Sequence, residues 1–237
     1  MWNDFLRSLR VGMKWQTACG VLVWSVVASG AARAQATAQT GLDRQLSRVD
    51  LAVSGVGEFT KGVTGTNYAG ISFTEKPSNT LGALVTLRYT AKPLVGFEFN
   101  YGYVRYTENF TKYSPVAPTV SGNYVPGGAQ TKGNEVTVGY VVHGPQLLGY
   151  RSFASGGVGS MIFTPTPFGG QGLPEQVRAG YYYTAGLEGN VLGSQHFGVR
   201  AQFRQVFFTA PDFGQNYLQI RKSTFTTEPT IGFFLRF

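Results

Sequence analysis

From residue 48 to the end, apolar and polar side chains alternate in eight successive runs, and the links between the runs alternate short and long. Period two places neighbouring side chains on opposite faces of a strand. The runs fall at about 48–60, 79–90, 94–107, 132–143, 149–163, 177–190, 195–208 and 224–237. The third sets Val95, Phe97, Phe99, Tyr101 and Tyr103 against Gly96, Glu98, Asn100 and Gly102, and the sixth sets Tyr181 and Tyr183 against Gly180, Thr184 and Glu188. The fifth run is the least regular. Ser155-Gly156-Gly157 interrupts its alternation and reads as a bulge or tight bend. Ala91-Lys92-Pro93, Gly144-Pro145-Gln146 and the stretch 191–194 fall in short links, while 61–78, 108–131, 164–176 and 209–223 are long. Turns on one side and loops on the other follow from a barrel set in a membrane, and a soluble sandwich has no such rule. The expectation is an all-β, eight-stranded, antiparallel up-and-down transmembrane β-barrel with short periplasmic turns and long extracellular loops. A hairpin hidden in a long loop would raise the count to ten.

The final run points the same way. Ile231, Phe233, Leu235 and Phe237 share one face of a strand that ends on an aromatic residue. Chain ends fray in water, whereas the last strand of a barrel closes against the first and turns an apolar face to lipid. At the other end, Arg7, Arg10 and Lys14 precede an uncharged, mostly apolar stretch from Ala18 to Ala32, and Ala32-Arg33-Ala34 fits a small-x-small cleavage site. That stretch is shorter than the roughly 20 residues that span a bilayer as a helix. The expected organisation is a signal peptide over 1–34, a mobile periplasmic lead-in over 35–46 and a barrel domain over 47–237. Cys19 would leave with the signal, so the mature chain would carry no disulfide, thiol nucleophile or cysteine metal ligand.

Composition supports the barrel. The chain holds 32 Gly, 18 Phe and 13 Tyr with only 14% charged residues, against about 25% charged in ordinary globular chains. Glycine relieves crowding inside a small barrel, and aromatics form belts at both membrane interfaces. Once Arg7, Arg10, Lys14, Arg33 and Asp4 leave with the signal, sixteen basic and eleven acidic residues remain, a net charge of +5. These charges are spread out and form no basic cluster with interleaved aromatics, so nucleic acid is not an expected partner.

On these features the chain resembles the small outer-membrane β-barrel family, typified by the OmpA transmembrane domain and similar eight-stranded porin-like proteins. The features that carry the resemblance are the signal ending at Ala32-Arg33-Ala34, the eight alternating runs, the loop pattern and the Phe237 ending, over about residues 46–237. It implies a Gram-negative outer-membrane location. It also implies that Ile231, Phe233, Leu235 and Phe237 form the signal read by the barrel-assembly machinery, and it makes outer-membrane lipid and lipopolysaccharide the surroundings. The chain departs from full-length OmpA in that no peptidoglycan-binding domain follows the barrel, so wall anchoring by that route is not implied.

The inward faces carry Arg88, Glu98, Glu135, Glu188, Arg200, Arg204, Glu228 and Arg236. An eight-stranded barrel is just wide enough for side chains to fill it, so such charges must pair. Glu188 with Arg200, and Arg88 with Glu98, lie across hairpins. The expectation is a structural plug of ion pairs, with a polar path for small solutes as the alternative. Catalysis is not expected. A lipid A deacylase of small-barrel type would need His and Ser two apart, but His143 precedes Gly144-Pro145 and His196 precedes Phe197-Gly198. No phosphate loop, metal-ligand set or nucleophile elbow is present, so no cofactor is expected. The loops, with Tyr113, Pro115, Pro118, Tyr124 and Pro126 in one and Tyr217 and Arg221 in another, are where an extracellular ligand would be met. The expected role is structural or surface interaction, with a narrow channel as runner-up and a lipid A-modifying enzyme third. A soluble barrel of lipocalin type would need polar outer faces, which Phe97, Phe99, Tyr101, Tyr181 and Tyr183 deny it.

Overall fold

A computed structural model describes residues 41–66, 70, 72–112, 128–191, 193–215 and 218–237, without the side chains of Leu42 and Lys112. The expected signal peptide over 1–34 and most of the expected lead-in over 35–46 lie outside these residues, as do Tyr113, Pro115, Pro118, Tyr124, Pro126 and Tyr217. A short helix, α1 (Gly41–Leu46), precedes the strands and belongs to a unit separate from them. Among the described residues no helix is long and apolar enough to cross a membrane.

The strands are β1 (Val49–Thr60), β2 (Val63–Thr66), β3 (Ser72–Pro77), β4 (Thr80–Lys92), β5 (Val95–Lys112), β6 (Gly128–Leu147), β7 (Tyr150–Pro165), β8 (Gln176–Asn190), β9 (Phe197–Thr209) and β10 (Ser223–Arg236). Eight of them close a barrel. Each wall strand pairs antiparallel with its neighbours in the order β1, β4, β5, β6, β7, β8, β9, β10, and β10 returns to β1. The closing register sets Leu51 opposite Leu235 and Val53 opposite Phe233. Full closure leaves no open edge, which a sheet needs where there is no water to satisfy it. β2 and β3 are a hairpin inside the 61–78 loop, and β3 pairs with the end of β5 from Phe73–Lys112 to Pro77–Glu108. The ten-strand count thus arises as an eight-strand wall with one loop hairpin standing on its rim.

The wall is taller on the long-loop side than the alternation alone indicates. β5 runs to Lys112 and β6 starts at Gly128. Two local readings are corrected. Gly144-Pro145-Gln146 is not the link between the fourth and fifth runs. β6 continues through it, and the turn is Leu148-Gly149, with Leu148 at φ 54° and Gly149 at φ 84°. The bulge is not at Ser155-Gly156-Gly157, where pairing to both neighbours is unbroken. It lies where the register shifts between His143 and Gln146. Pro145 lacks an N–H and cannot complete the ladder, so the irregularity collects beside it.

The outward face is apolar. Ile231 is 65% exposed and Phe233 58%, values that a protein surrounded by water has no reason to hold on a closed wall. Aromatic pairs gather toward both ends: Phe97 with Tyr140 at 4.9 Å and Phe197 with Phe233 at 5.5 Å on the short-turn side, and Tyr181 with Phe207 at 4.9 Å on the long-loop side. These are the girdles of a membrane barrel.

Candidate functional site

The lumen is filled in three tiers. In the tier nearest the short turns, Arg88 and Arg200 are buried at 0% and 1% exposure. Arg88 reaches Glu98 at 2.9 Å and Glu188 at 3.0 Å, while Arg200 reaches Glu188 at 2.9 Å and Asp50 at 2.8 Å. Glu188 therefore bridges two arginines. It also faces His143 Nε2 at 3.5 Å. The guanidinium planes lie on aromatic faces, with Arg88 4.4 Å from the Phe153 centroid and Arg200 5.1 Å from that of Phe234. The ladder explains these meetings. Arg88 is opposite Glu98 and Glu188 is opposite Arg200, and in each pair both point inward.

In the middle tier Arg204 Nη1 donates to Glu135 at 2.7 Å and to Glu228 at 2.6 Å, and Nη2 donates to Glu135 and to Thr137. The Tyr182 ring lies under this guanidinium at 4.5 Å, and its hydroxyl donates to Glu98 at 2.8 Å. Tyr182 thereby ties the two tiers together. Glu58 shares the tier with a carboxyl oxygen that has no hydrogen-bond partner. It lines a cavity of about 20 Å³ beside Val56, Tyr106 and Met161, room for about one water.

The third tier is the extracellular cap, where Phe73, Tyr106, Phe110, Phe163, Phe208, Phe213, Leu218 and Ile220 bury one another. Phe213, Leu218 and Ile220 come from the link between β9 and β10, folded back over the opening. Arg178 holds that link at Asp212 at 2.9 Å. Burial raises the Asp212 carboxyl, but donors from Gln176, the Gly214 N–H and Arg178 outweigh it and hold the carboxyl below its ordinary range.

Glu75 and Glu108 sit in this cap at 2% and 0% exposure, and none of their carboxyl oxygens has a hydrogen-bond partner. Both lie beyond the outward Tyr103 that ends the lipid-facing band. Burial pushes Glu108 up to about 8. Glu75 is raised by burial first and then by Glu108 and Asp212, against the pull of Arg178. The folded cap therefore holds the Glu108 proton more tightly than the unfolded chain, whose ordinary value is 4.5. The stability from that proton is complete below about pH 4.5 and is lost as pH rises through about 8. Amide exchange at β3, corrected for its intrinsic pH dependence, is expected to show the cap opening more easily at pH 9 than at pH 5, by on the order of a few kcal/mol. Glu108→Gln is expected to reduce that dependence and leave the part that the buried Glu75 supplies, and an unchanged slope would remove Glu108 as its source.

Of the inward residues named from sequence, Arg88, Glu98, Glu188 and Arg200 meet in one tier and Glu135, Arg204 and Glu228 in the next. Arg236 joins that first tier only at its edge, at the short-turn mouth, its side chain 34% exposed and 3.9 Å from Glu188. The inward charges read from the sequence left out Asp50 and Glu58, and that reading missed Tyr182, His143, Glu75 and Glu108. Alternation carried the signal for Tyr182, which has the parity of Thr184, and for His143, which has that of Glu135. Glu75 carried none, because it lies in a segment read as loop. His196 is exposed at a short turn, with Nδ1 3.0 Å from the Arg236 carbonyl. Ile231, Phe233 and Leu235 share the outward face of β10, opposite Gly55, Val53 and Leu51.

No family model and no curated protein matches the chain. Among solved structures it is similar to the outer membrane protein OprG from Pseudomonas aeruginosa, at 11% identity and TM-score 0.54, over 80% of this chain and 95% of that one. It is also similar to Neisserial surface protein A at 9% identity and TM-score 0.49, over 80% and 97%. A third likeness is to AlkL, an outer membrane protein solved in lipid bilayers, at 13% identity and TM-score 0.38, over 86% and 93%. At these identities the likeness to OprG speaks for the fold alone, and the other two add no argument.

Proposed function

We propose that this chain, an outer-membrane β-barrel by its fold and its lipid-facing wall, is a closed scaffold that presents its extracellular side for surface interaction rather than a conduit. The observation that carries the reading is the filled lumen. Two tiers of hydrogen-bonded ion pairs and an aromatic cap follow one another along the axis. A conducting path needs continuous wet space, and the cavity beside Glu58, between the middle tier and the cap, holds about one water. The freedom left for function is therefore on the extracellular side, in the β2–β3 hairpin, the 113–127 segment and the links 166–175 and 210–222.

Reconstituted into planar bilayers, the protein is expected to be electrically silent at moderate voltage. Stable ohmic steps would overturn the scaffold and favour the narrow channel. The same reading gives the barrel-assembly machinery as the partner of the final strand, through Ile231, Phe233, Leu235 and Phe237. It gives no cofactor and no catalytic residue, with the lipid A-modifying enzyme supported by neither histidine.

A further inference from the structure

Arg105 and Lys132 are, among the described residues, the only charged side chains at outward positions of the eight wall strands. The sequence and register show this strand by strand. β1 turns out Val49 to Phe59 at odd numbers, β4 turns out Leu81 to Ala91, and β8, β9 and β10 turn out Val177 to Gly189, Phe197 to Thr209 and Phe225 to Leu235, all uncharged. β7 turns out even numbers from Ser152 to Thr164, also uncharged. The two exceptions are directly opposite each other, Arg105 on β5 paired with Lys132 on β6.

Like charges directly opposed on one sheet face repel. Among the described residues no ion pair relieves the repulsion. Arg105 donates to Gln130 at 2.9 Å, a neutral partner, and neither cation is in an ion pair with a described carboxylate. One acid comes close: Glu175 accepts from the Thr164 hydroxyl at 2.7 Å, and Thr164 is opposite Lys132 on the β7 side, but Glu175 makes no ion pair with Lys132 or Arg105. The height of the pair is also defined. Arg105 follows Tyr103 and Lys132 precedes Asn134, which accepts from the Tyr101 hydroxyl at 2.9 Å. The cations thus stand one outward position above the end of the aromatic band, on the long-loop side, at the level of lipid headgroups. A cation there escapes most of the penalty it would meet at the midplane.

We infer that Arg105 and Lys132 form a docking site for a phosphate of the outer-leaflet glycolipid, lipopolysaccharide. An anion between them turns a repulsive pair into two charge-assisted contacts. A guanidinium held at one edge by Gln130 keeps its other N–H groups for a phosphate fork. This inference rests on the orientation of the barrel and not on whether its lumen conducts.

The test uses the full-length barrel refolded into phosphatidylcholine vesicles, read by the temperature at which its folded, faster-migrating gel band is lost. Added lipopolysaccharide is expected to raise that midpoint, as any ligand of the folded state does, and to be retained through detergent extraction. Arg105→Gln with Lys132→Gln is expected to weaken retention at least tenfold and cancel the shift, while Arg105→Lys with Lys132→Arg keeps both. Should the double Gln variant refold poorly, Lys132→Gln alone is compared with the parent. Equal retention by the Gln variant would overturn the inference. So would an equal shift from phosphatidylglycerol, which would reduce the site to a general attraction for negative lipid.

Discussion

Arg204→Ala is expected to remove about 3–5 kcal/mol from the barrel, the cost of leaving buried charge without its partner. Arg204 is 1% exposed and is the cation shared by Glu135 and Glu228. Without it, those carboxylates and Glu58 are left close together with no guanidinium among them. The Tyr182 ring loses its cation in the same step. The measurement is the urea midpoint of the heat-modifiable band in vesicles, with the urea slope compared to confirm that the same surface unfolds. A second variant separates charge from packing. Arg204→Leu with Glu58→Gln, Glu135→Gln and Glu228→Gln removes the whole charged set, and replacing a buried ion network with neutral groups of similar volume is often neutral or stabilising. It is expected to recover most of the loss. A parent-like midpoint in Arg204→Ala would show that the middle tier does not hold the lumen together.

How much of this was legible from the sequence depends on what each residue reports. Alternation is a local property, so the wall was readable, and so was the inward side of Arg88, Glu98, Glu188, Arg200 and Arg204. Register followed where a short turn fixes it, which is why Arg88–Glu98 and Glu188–Arg200 were recoverable as pairs. Contacts across the lumen were not. Arg204 reaches Glu135 from the opposite part of the wall, and no periodicity encodes which strands face each other through a barrel. The cap was hidden for a different reason. Phe213, Leu218 and Ile220 lie in a link with no period, and their burial is decided by the opening beneath them. Gly144-Pro145 read as a turn because glycine and proline usually punctuate one, but an edge irregularity within β6 accommodates them as well.

Gly157→Val is expected to prevent the barrel from closing, while the adjacent Gly156→Ala is expected to be tolerated. The two glycines share a run that reads as one interruption, yet they face opposite sides of β7. Gly157 points inward. A Cβ there would fall on the Val138 carbonyl oxygen and the Gly139 Cα, both backbone, and meet the Tyr182 ring at 2.8 Å. Backbone on a paired strand cannot step aside without parting the ladder, so relaxation of the kind that limits ordinary overpacking to about 1–3 kcal/mol is not open to it. Gly139, opposite Gly157, is bare for the same reason, since its Cβ would strike the Tyr182 hydroxyl and the Gly156 backbone. Together they make the hollow that lets Tyr182 lie across the lumen and reach Glu98. Gly156 points outward, and the nearest atom to a Cβ there is the Tyr182 carbonyl oxygen at 3.4 Å, an ordinary contact facing lipid. Refolding yield on an unboiled gel reads both variants. A folded band from Gly157→Val in parental yield would mean that Tyr182 has another place to go, and the link it makes between the two charged tiers would have to be abandoned.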